Sequence, residues 1–284
     1  MDKRKLGRTG QELTVVGFGG IVVMNETADD AARFVAEAVD AGCNYFDVAP
    51  QYGNAQDMLG PALEPYRKGV FLTCKTLERT ADKARADLER SLKLLRTDRF
   101  DLYQMHCLAE MGEVEAAFGP GGAIETFVKA REEGLVRFLG FSAHTEEAAL
   151  AAMDRFPFDT ILFPLNRGSW LNGKFGPRVV EKARGKGMGI LALKALGSRP
   201  WREGEKRAWS KPWYAPVESY EEARDNLRFT LSLPITAAVS PGHMELFRWM
   251  VKAEREFRPL SPAELETALP LPASHVPIFK SPVQ

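Results

Sequence analysis

Eight short apolar runs alternate with amphipathic segments of roughly 10 to 15 residues along this 284-residue chain. That alternation is typical of βα units whose strands form one parallel sheet. The runs are apolar almost throughout, which indicates strands buried on both faces. Eight such units predict a closed (β/α)8 TIM barrel, and the chain length suits a fold of roughly 250 residues. The predicted strands are residues 13–18, 43–48, 70–76, 101–107, 136–142, 160–165, 189–194 and 235–240.

Helix start and stop signals lie between the predicted strands, as the βα units require. Thr27, Thr80 and Thr145 each precede a segment with helical periodicity and acidic residues in its first turn, where carboxylates complement the helix dipole. Gly42 and Gly134 follow two of the helical segments, as expected of helix ends. An open doubly wound sheet is the alternative fold, but it would need a GxGxxG turn before the first helix, and the glycines after the first strand do not supply that spacing.

Three segments depart from the βα alternation. Residues 1–9 precede the first strand and predict a hairpin at the bottom of the barrel. Residues 197–218 form a long loop after the seventh strand, rich in Trp and Tyr, which predicts a cover over the barrel mouth. The chain is therefore predicted to be one barrel domain, 1–258, followed by an extension, 259–284. For that extension, packing on the barrel rim and a free end both stay open.

Four polar residues stand at or just after the ends of three successive predicted strands: Asp47, Tyr52, Lys75 and His106. In a βα barrel the carboxyl ends of all strands share one rim, so these side chains should meet. A nearby ammonium favours the phenolate and lowers the pKa of a tyrosine, and a carboxylate holds the ammonium in place. An imidazole can orient or donate to a substrate oxygen. We therefore predict a proton-donating catalytic site.

The sequence around these residues carries recognisable motifs. They read RKLGRTGQELTVVGFGG (4–20), NYFDVAPQYG (44–53), LG (59–60), VFLTC before Lys75, DLYQMH ending at His106, REEG (131–134) and RFLGFS (137–142). Together they resemble the aldo-keto reductase family, whose signature is fDTAxxYG…lG, over roughly residues 1–250. The resemblance implies hydride transfer from NADPH to a carbonyl carbon. Tyr52 would deliver the proton, Lys75 and Asp47 would tune it, and His106 would position the carbonyl.

The resemblance also implies cofactor-binding positions, several of which differ from the family pattern. Ser142 is kept after the fifth strand, but Ala143 replaces an Asn, Leu162 replaces a Gln and Leu193 replaces an aromatic residue. The remaining cofactor candidates are Gly20, Ile21, Lys194, Leu196, Gly242 and Arg248. Arg248 would meet the adenosine 2′-phosphate, since a guanidinium binds phosphate through two parallel hydrogen bonds. NADP is therefore favoured, with NAD still possible.

The substrate pocket is expected to be apolar and aromatic, with Val23, Trp170 and Trp201 as candidate lining residues. Such a pocket suits a hydrophobic or flat carbonyl compound. The 38 basic residues balance the 38 acidic ones, so no overall field favours nucleic acid or an anionic membrane. A small molecule is the expected partner, and the oligomeric state stays open.

The cysteines, Cys43, Cys74 and Cys107, lack CxxC spacing and fit a reducing compartment. By strand alternation, the thiols of Cys74 and Cys107 are expected to face the helices rather than the barrel lumen. No secretion signal or membrane-spanning run is visible, so a cytoplasmic location is expected.

Two other enzyme classes and one binding role remain as alternatives. A metal-dependent hydrolase is disfavoured, because no HxH follows the first strand and the other histidines lie far from His106 in the order of units, so no metal is expected. A Schiff-base lyase would use Lys75 as nucleophile. A nicotinamide-binding sensor with little turnover is the third alternative, and the altered carboxamide positions motivate it.

Overall fold

A computed structural model describes residues 1–267, 271 and 275–282. The strands are β1 (Lys3–Lys5), β2 (Glu12–Thr14), β3 (Val16–Gly19), β4 (Tyr45–Asp47), β5 (Phe71–Thr76), β6 (Phe100–Leu108), β7 (Val136–Ala143), β8 (Thr160–Pro164), β9 (Gly189–Leu193), β10 (Gly197–Pro200), β11 (Tyr214–Pro216) and β12 (Ala237–Val239). Eight parallel strands close into a barrel in the order β12-β3-β4-β5-β6-β7-β8-β9, so the predicted TIM barrel is confirmed. Two antiparallel pairs, β1 with β2 and β10 with β11, lie outside it.

Helices follow the barrel strands and carry the predicted start signals. Thr27 and Thr145 accept hydrogen bonds from backbone N–H groups of the first turn, whereas Thr80 makes no such bond. Short 3-10 helices cover Gly7–Thr9, Gly20–Val23 and Glu64–Gly69. The α-helices are α1 (Ala28–Asp40), α2 (Ala55–Leu63), α3 (Ala81–Leu94), α4 (Met111–Phe118), α5 (Ala123–Glu132), α6 (Glu146–Arg155), α7 (Arg167–Leu171), α8 (Pro177–Gly185), α9 (Tyr220–Ser232), α10 (Met244–Arg255) and α11 (Pro262–Thr267).

The β1–β2 hairpin closes the amino-terminal end of the barrel. Leu6 and Leu13 are fully buried and pack with inward-facing strand residues such as Tyr45 and Leu191. Gly7 has a φ of +50°, and a Cβ there would lie 2.2 Å from the backbone nitrogen of Gly189. Only glycine permits that close approach of the hairpin to β9. With one end sealed in this way, the opposite rim is the one open to ligands.

The long segment after β9 covers part of that open rim. Its antiparallel strands β10 and β11 flank a loop that reaches across to the residues after β3, where the Lys211 ammonium donates to the Val22 carbonyl oxygen at 2.6 Å and pairs with Glu26 at 2.7 Å. From the carboxyl-terminal side, the Phe279 ring stacks on Phe175 at 5.1 Å. These contacts place both segments beside the mouth.

The extension at 259–284 is only partly described. The SPAELETAL sequence at 261–269 predicts a short helix in this extension. Leu260 is buried, and α11 covers the first part of that stretch. The end of that stretch, 268–269, lies outside the described residues, as do residues 270, 272–274 and 283–284. Within the described part of the chain, no helix has the length and apolar character needed to cross a membrane.

Candidate active site

The carboxyl ends of β4, β5 and β6 bring four polar side chains to the open rim. Asp47 is the last residue of β4, Lys75 lies in β5, His106 lies in β6, and Tyr52 lies in the loop between β4 and α2. Asp47, Tyr52 and His106 line a cavity of about 300 Å³. Lys75 is fully buried beside Asp47. The structure thus brings together all four residues that the strand ends predict.

Lys75 and Asp47 form a buried ion pair beneath the tyrosine. The Lys75 Nζ atom donates to Asp47 Oδ2 at 2.5 Å and to the Val48 carbonyl oxygen at 3.3 Å. The same Nζ atom lies 5.4 Å from the centre of the Tyr52 ring. Burial alone would lower the pKa of Lys75, but the charge of Asp47 and its hydrogen bond raise it above its ordinary value. Lys75 is therefore an ammonium ion.

Tyr52 is a protonated phenol in this setting. Burial raises its pKa, while the charge of Lys75 acts in the opposite direction. A phenol held next to a fixed ammonium can give up its proton and leave a phenolate that the ammonium stabilises. This arrangement is chemically suited to proton donation from Tyr52 to a group bound in the cavity.

His106 stands perpendicular to Tyr52, with 6.0 Å between the ring centroids. Burial and the charge of Lys75 hold the pKa of His106 well below its usual range, so the imidazole is neutral. Its Nδ1 atom lies 3.1 Å from Gln51 Oε1, at a distance where the glutamine amide selects the tautomer. With Oε1 facing Nδ1, the Nδ1–H group donates to it and Nε2 is left as an acceptor, whereas an amide turned to present its NH₂ to Nδ1 leaves Nε2–H to donate to a substrate oxygen. Gln51 is not among the site residues that the sequence predicts.

Most of the remaining cavity wall is apolar. The two leucines that replace the family's amide and aromatic residues, Leu162 and Leu193, lie in this wall, together with Trp213 and Tyr214 of the covering segment. Trp213 is 54% exposed, so its ring stands at the entrance. The other lining residues are Gly19, Ile21, Leu77, Cys107, His144, Lys194, Lys211, Pro212, Val239, Ser240, Pro241 and Gly242.

The structure brings some predicted cofactor positions to the cavity and leaves others outside it. Ile21, Leu162, Leu193, Lys194 and Gly242 line the wall. In a second layer, Ser142 accepts a hydrogen bond from the Cys107 N–H group at 2.7 Å. Gly20 and Leu196 are buried away from the cavity surface, where Gly20 packs on Val48 and Leu196 joins the main hydrophobic core.

Arg248 is not at the cavity. Its guanidinium makes two hydrogen bonds to the Glu37 carboxylate, at 2.6 and 2.8 Å. These two residues line a separate depression of the outer helical layer, between α1 and α10. The guanidinium therefore already has the bidentate anionic partner that the sequence analysis assigned to a phosphate.

The three predicted substrate residues lie elsewhere. Val23 is fully buried in the core, and Trp170 packs against Phe229. The Trp201 indole donates to the Pro212 carbonyl oxygen at 3.0 Å and faces Arg199. The pairing of β10 with β11 turns a different part of the covering segment toward the cavity, residues 211–214. The aromatic character of the pocket was expected, but the residues that provide it differ.

Cys107 and His144 correct two further expectations. Cys107 has a φ of +57° and lies where the pairing of β6 with β7 shifts register, so the strand alternation fails there and the thiol reaches the cavity instead of the helices. His144, expected far from His106, lines the same cavity. Even so, the described residues contain no cluster of three His, Cys, Asp or Glu side chains able to hold a metal ion. Cys43 and Cys74 are buried.

The residues present fit a nicotinamide dinucleotide. Leu162 and Leu193 offer an apolar surface to a planar ring. Pro241 and Gly242 of the cavity wall lead into the amino terminus of α10, which no side chain caps. Backbone N–H groups at such a helix end stabilise phosphate. The cavity is at the small end of the range for ligand sites, roughly 300–1,000 Å³.

Comparison with curated proteins points to one family. Residues 15–233 match the Aldo/keto reductase family. The chain is 28% identical over 214 residues to L-galactose dehydrogenase from Arabidopsis thaliana, covering 69% of this chain and 66% of that protein. It is 30% identical over 173 residues to 6-dehydroglucose reductase from Novosphingobium aromaticivorans, covering 54% and 55%. The chain thus spans about half to two thirds of the length of these curated relatives.

A solved structure shares the architecture. The holo form of an aldo-keto reductase from Bacillus halodurans aligns with a TM-score of 0.73 over 94% of each chain at 22% identity, a likeness that concerns the fold. The family match runs from the start of the barrel to the end of α9, which is most of the chain. This protein belongs to the aldo/keto reductase family.

Proposed function

We propose that this protein reduces an aldehyde or ketone to an alcohol with NADP(H), with Tyr52 as the proton donor. The observation that carries the proposal is the fully buried Lys75–Asp47 pair beneath Tyr52, with neutral His106 across the same cavity. When bound, the nicotinamide would supply the hydride. The protein would hold the carbonyl in place and supply the proton.

The roles of the residues follow from their surroundings. The Tyr52 hydroxyl would give its proton to the carbonyl oxygen as negative charge develops there. The Lys75 ammonium would stabilise the phenolate that remains, and Asp47 would keep that ammonium protonated and in place. Neutral His106 would orient the carbonyl oxygen through Nε2–H, with the Gln51 amide turned to present its NH₂ group to Nδ1. General acid catalysis of this kind contributes roughly 10² to 10⁴ in rate.

The substrate is proposed to be a hydrophobic or flat carbonyl compound. Two relatives are named for sugar substrates, L-galactose and 6-dehydroglucose. In this chain the cavity wall carries Leu162, Leu193 and Trp213, which favour apolar surface over sugar hydroxyls. NADP is preferred in the proposal because Arg248 lies in the second turn of α10, close to the proposed phosphate site, and NAD is the alternative.

The structure argues against a lyase that uses Lys75 as nucleophile. Its Nζ atom is fully buried, protonated and bonded to Asp47, whereas Schiff-base formation needs a free amine in reach of the carbonyl. A nicotinamide sensor with little turnover is the second candidate. The observation that favours it is the apolar Leu162 wall, which offers no hydrogen bond to a carboxamide.

Turnover of wild type and Tyr52→Phe with NADPH and with NADH, across aldehydes, ketones and quinones, tests the proposal. We expect kcat of Tyr52→Phe to fall by about 10²- to 10⁴-fold. Fluorescence titration should show an NADPH Kd close to that of wild type, because the lost hydroxyl acts on the substrate. The matched control is Tyr66→Phe, a tyrosine outside the cavity. Full activity in Tyr52→Phe would overturn the mechanism, and NADPH binding without oxidation of any compound would favour the sensor.

A further inference from the structure

A hydrogen-bonded series of three reactive side chains lies in the cavity wall, beside the four residues proposed to be catalytic. The Cys107 Sγ atom lies 3.0 Å from His144 Nδ1, and His144 Nε2 lies 3.0 Å from Lys194 Nζ. All three residues line the cavity. The proposed reduction uses none of these side chains, so their alignment needs a separate explanation.

The protonation state of His144 restricts how the three side chains can share protons. Burial and the charge of Lys194 lower the pKa of His144 to about 2, so its imidazole is neutral and carries one N–H. Besides the state in which Lys194 is an ammonium and Cys107 a thiol, two hydrogen-bonded arrangements have one proton fewer. In one, the thiol donates to Nδ1 and Nε2–H donates to a neutral Lys194 amine. In the other, the Lys194 ammonium donates to Nε2 and Nδ1–H donates to a thiolate. They differ by the transfer of one proton from sulfur to lysine, with no change in total charge.

The surroundings of Lys194 allow it to receive that proton. Burial lowers the pKa of Lys194 to about 7, so both amine and ammonium are accessible near neutral pH. The Nζ atom lies 5.2 Å from the centre of the Trp213 ring and 5.4 Å from that of Phe279, and aromatic faces stabilise an ammonium ion. Burial raises the pKa of Cys107. Loss of the thiol proton to solvent is therefore unfavourable, whereas its transfer to Lys194 places no net charge in the cavity.

The two outer residues of this hydrogen-bonded series, Cys107 and Lys194, have unusual backbone conformations. Cys107 has a φ of +57° and Lys194 a φ of +64°, values that side chains other than Asn and Asp rarely adopt. The Cys107 N–H group donates to Ser142 Oγ at 2.7 Å, which fixes the turn that directs the thiol into the cavity. Such strained residues cluster at functional sites. This observation is independent of the side-chain distances.

We propose that Cys107 is a nucleophile that adds to α,β-unsaturated carbonyl compounds in the cavity, with His144 and Lys194 as its proton relay. The choice of electrophile rests on the proposed function, because Tyr52 and His106 would hold the carbonyl oxygen. The reactivity of the thiol does not rest on it. His144 and Lys194 are positioning and proton-accepting groups for the sulfur.

The addition balances without an oxidant or a second reactant. The S–H bond breaks and a bond forms between Sγ and the β-carbon of the ligand. The electron pair of the C=C bond moves to give an enolate, whose oxygen would lie at Tyr52 and His106. The thiol proton passes to Nδ1 of His144 while the Nε2 proton passes to Lys194. Return of that proton to the α-carbon completes the net addition of S–H across the double bond.

The test uses the full-length protein without nucleotide near neutral pH, with but-3-en-2-one and, in parallel, iodoacetamide, which needs no carbonyl site. Mass spectrometry of the intact chain and of its peptides measures the rate at each cysteine. We expect Cys107 to react at least roughly tenfold faster than N-acetylcysteine, because a positioned general base assists it. Cys43 and Cys74, which are 3% and 0% exposed, serve as unreactive controls in the same molecule. A Cys107 rate equal to or below that of N-acetylcysteine would overturn the proposal without any variant.

Three variants separate the contributions. His144→Gln keeps a polar side chain without a base and should slow both reagents by about 10²-fold, and Lys194→Met should slow them by about tenfold. Unchanged rates in His144→Gln would refute the relay. Tyr52→Phe should slow but-3-en-2-one alone. If Tyr52→Phe leaves both rates high, the thiol relay stands and the carbonyl site of the proposed function fails. If iodoacetamide reacts slowly while reduction of carbonyls is normal, the thiol relay fails and the proposed function stands.

Discussion

Removal of the Lys75 ammonium tests both the electrostatics and the chemistry of the site. Lys75→Met leaves Asp47 buried without its cation, and among the described residues Asp47 Oδ1 has no hydrogen-bond partner to replace it. Breaking a buried ion pair from one side costs about 3–5 kcal/mol of unfolding free energy. In a protein of this size that lowers the melting temperature by about 5–8 °C. The double variant Lys75→Met/Asp47→Asn removes the isolated charge, so most of that stability should return.

Activity should behave differently from stability in this pair of variants. With 5.4 Å between Nζ and the Tyr52 ring centre, the ammonium stabilises a phenolate by roughly 3 kcal/mol at an effective dielectric constant of about 20. That energy corresponds to about a 10²-fold loss of kcat. Both the single and the double variant lack the ammonium, so both should show this loss. In alcohol oxidation, where the phenolate is the base, the rate should rise at higher pH than in wild type, because loss of Lys75 raises the pKa of Tyr52 further.

Thermal unfolding by circular dichroism and steady-state oxidation of NADPH measure the two effects on the same samples. Asp47→Asn alone is the matched control for the loss of the carboxylate. A double variant that is as unstable as Lys75→Met would show that the isolated charge is not the cause. A stable double variant with wild-type kcat would show that Lys75 does not act on Tyr52.

Three further predictions concern residues around the cofactor and the substrate. Gln51→Leu removes the partner of His106 Nδ1 and should lower kcat by roughly tenfold at unchanged NADPH Kd, so an unchanged kcat would exclude control of the tautomer by Gln51. Glu37→Gln should release Arg248 and lower the Kd for NADPH but not for NADH, whereas Arg248→Gln should raise it; equal effects on the two nucleotides would remove Arg248 from the phosphate site. Leu162→Gln should lower the NADPH Kd by about fivefold, since one hydrogen bond contributes about 1 kcal/mol. A higher Kd than that of wild type would mean that the carboxamide does not reach β8.

The positions of the four residues proposed to be catalytic, Asp47, Tyr52, Lys75 and His106, follow from features that are local in sequence. The apolar runs determine where the strands end, and in a parallel barrel every strand end reaches the same rim. The positions of Asp47, Lys75 and His106 could therefore be predicted without information on contacts between distant segments. Tyr52 is only five residues beyond Asp47, so the loop could not carry it far from the rim.

Other residues depended on contacts between segments that are distant in sequence. Arg248 has the residue type and spacing of a phosphate ligand, but the packing of α10 against α1 gives it Glu37 as a partner. Trp213 lies at the cavity and Trp201 does not, because the β10–β11 pairing selects which part of the covering segment faces inward. A sequence pattern does not contain these pairings.

By itself, then, the sequence determined the barrel, the family and the meeting of Asp47, Tyr52, Lys75 and His106 at one rim, because each rests on strand periodicity and short motifs. Only the tertiary structure decided that Cys107, His144 and Lys194 stand in one hydrogen-bonded chain. Strand alternation predicted the opposite direction for the Cys107 thiol, and the positive φ at that residue reversed it. That backbone conformation arises where the register of β6 against β7 shifts, a property of two paired strands rather than of either strand alone.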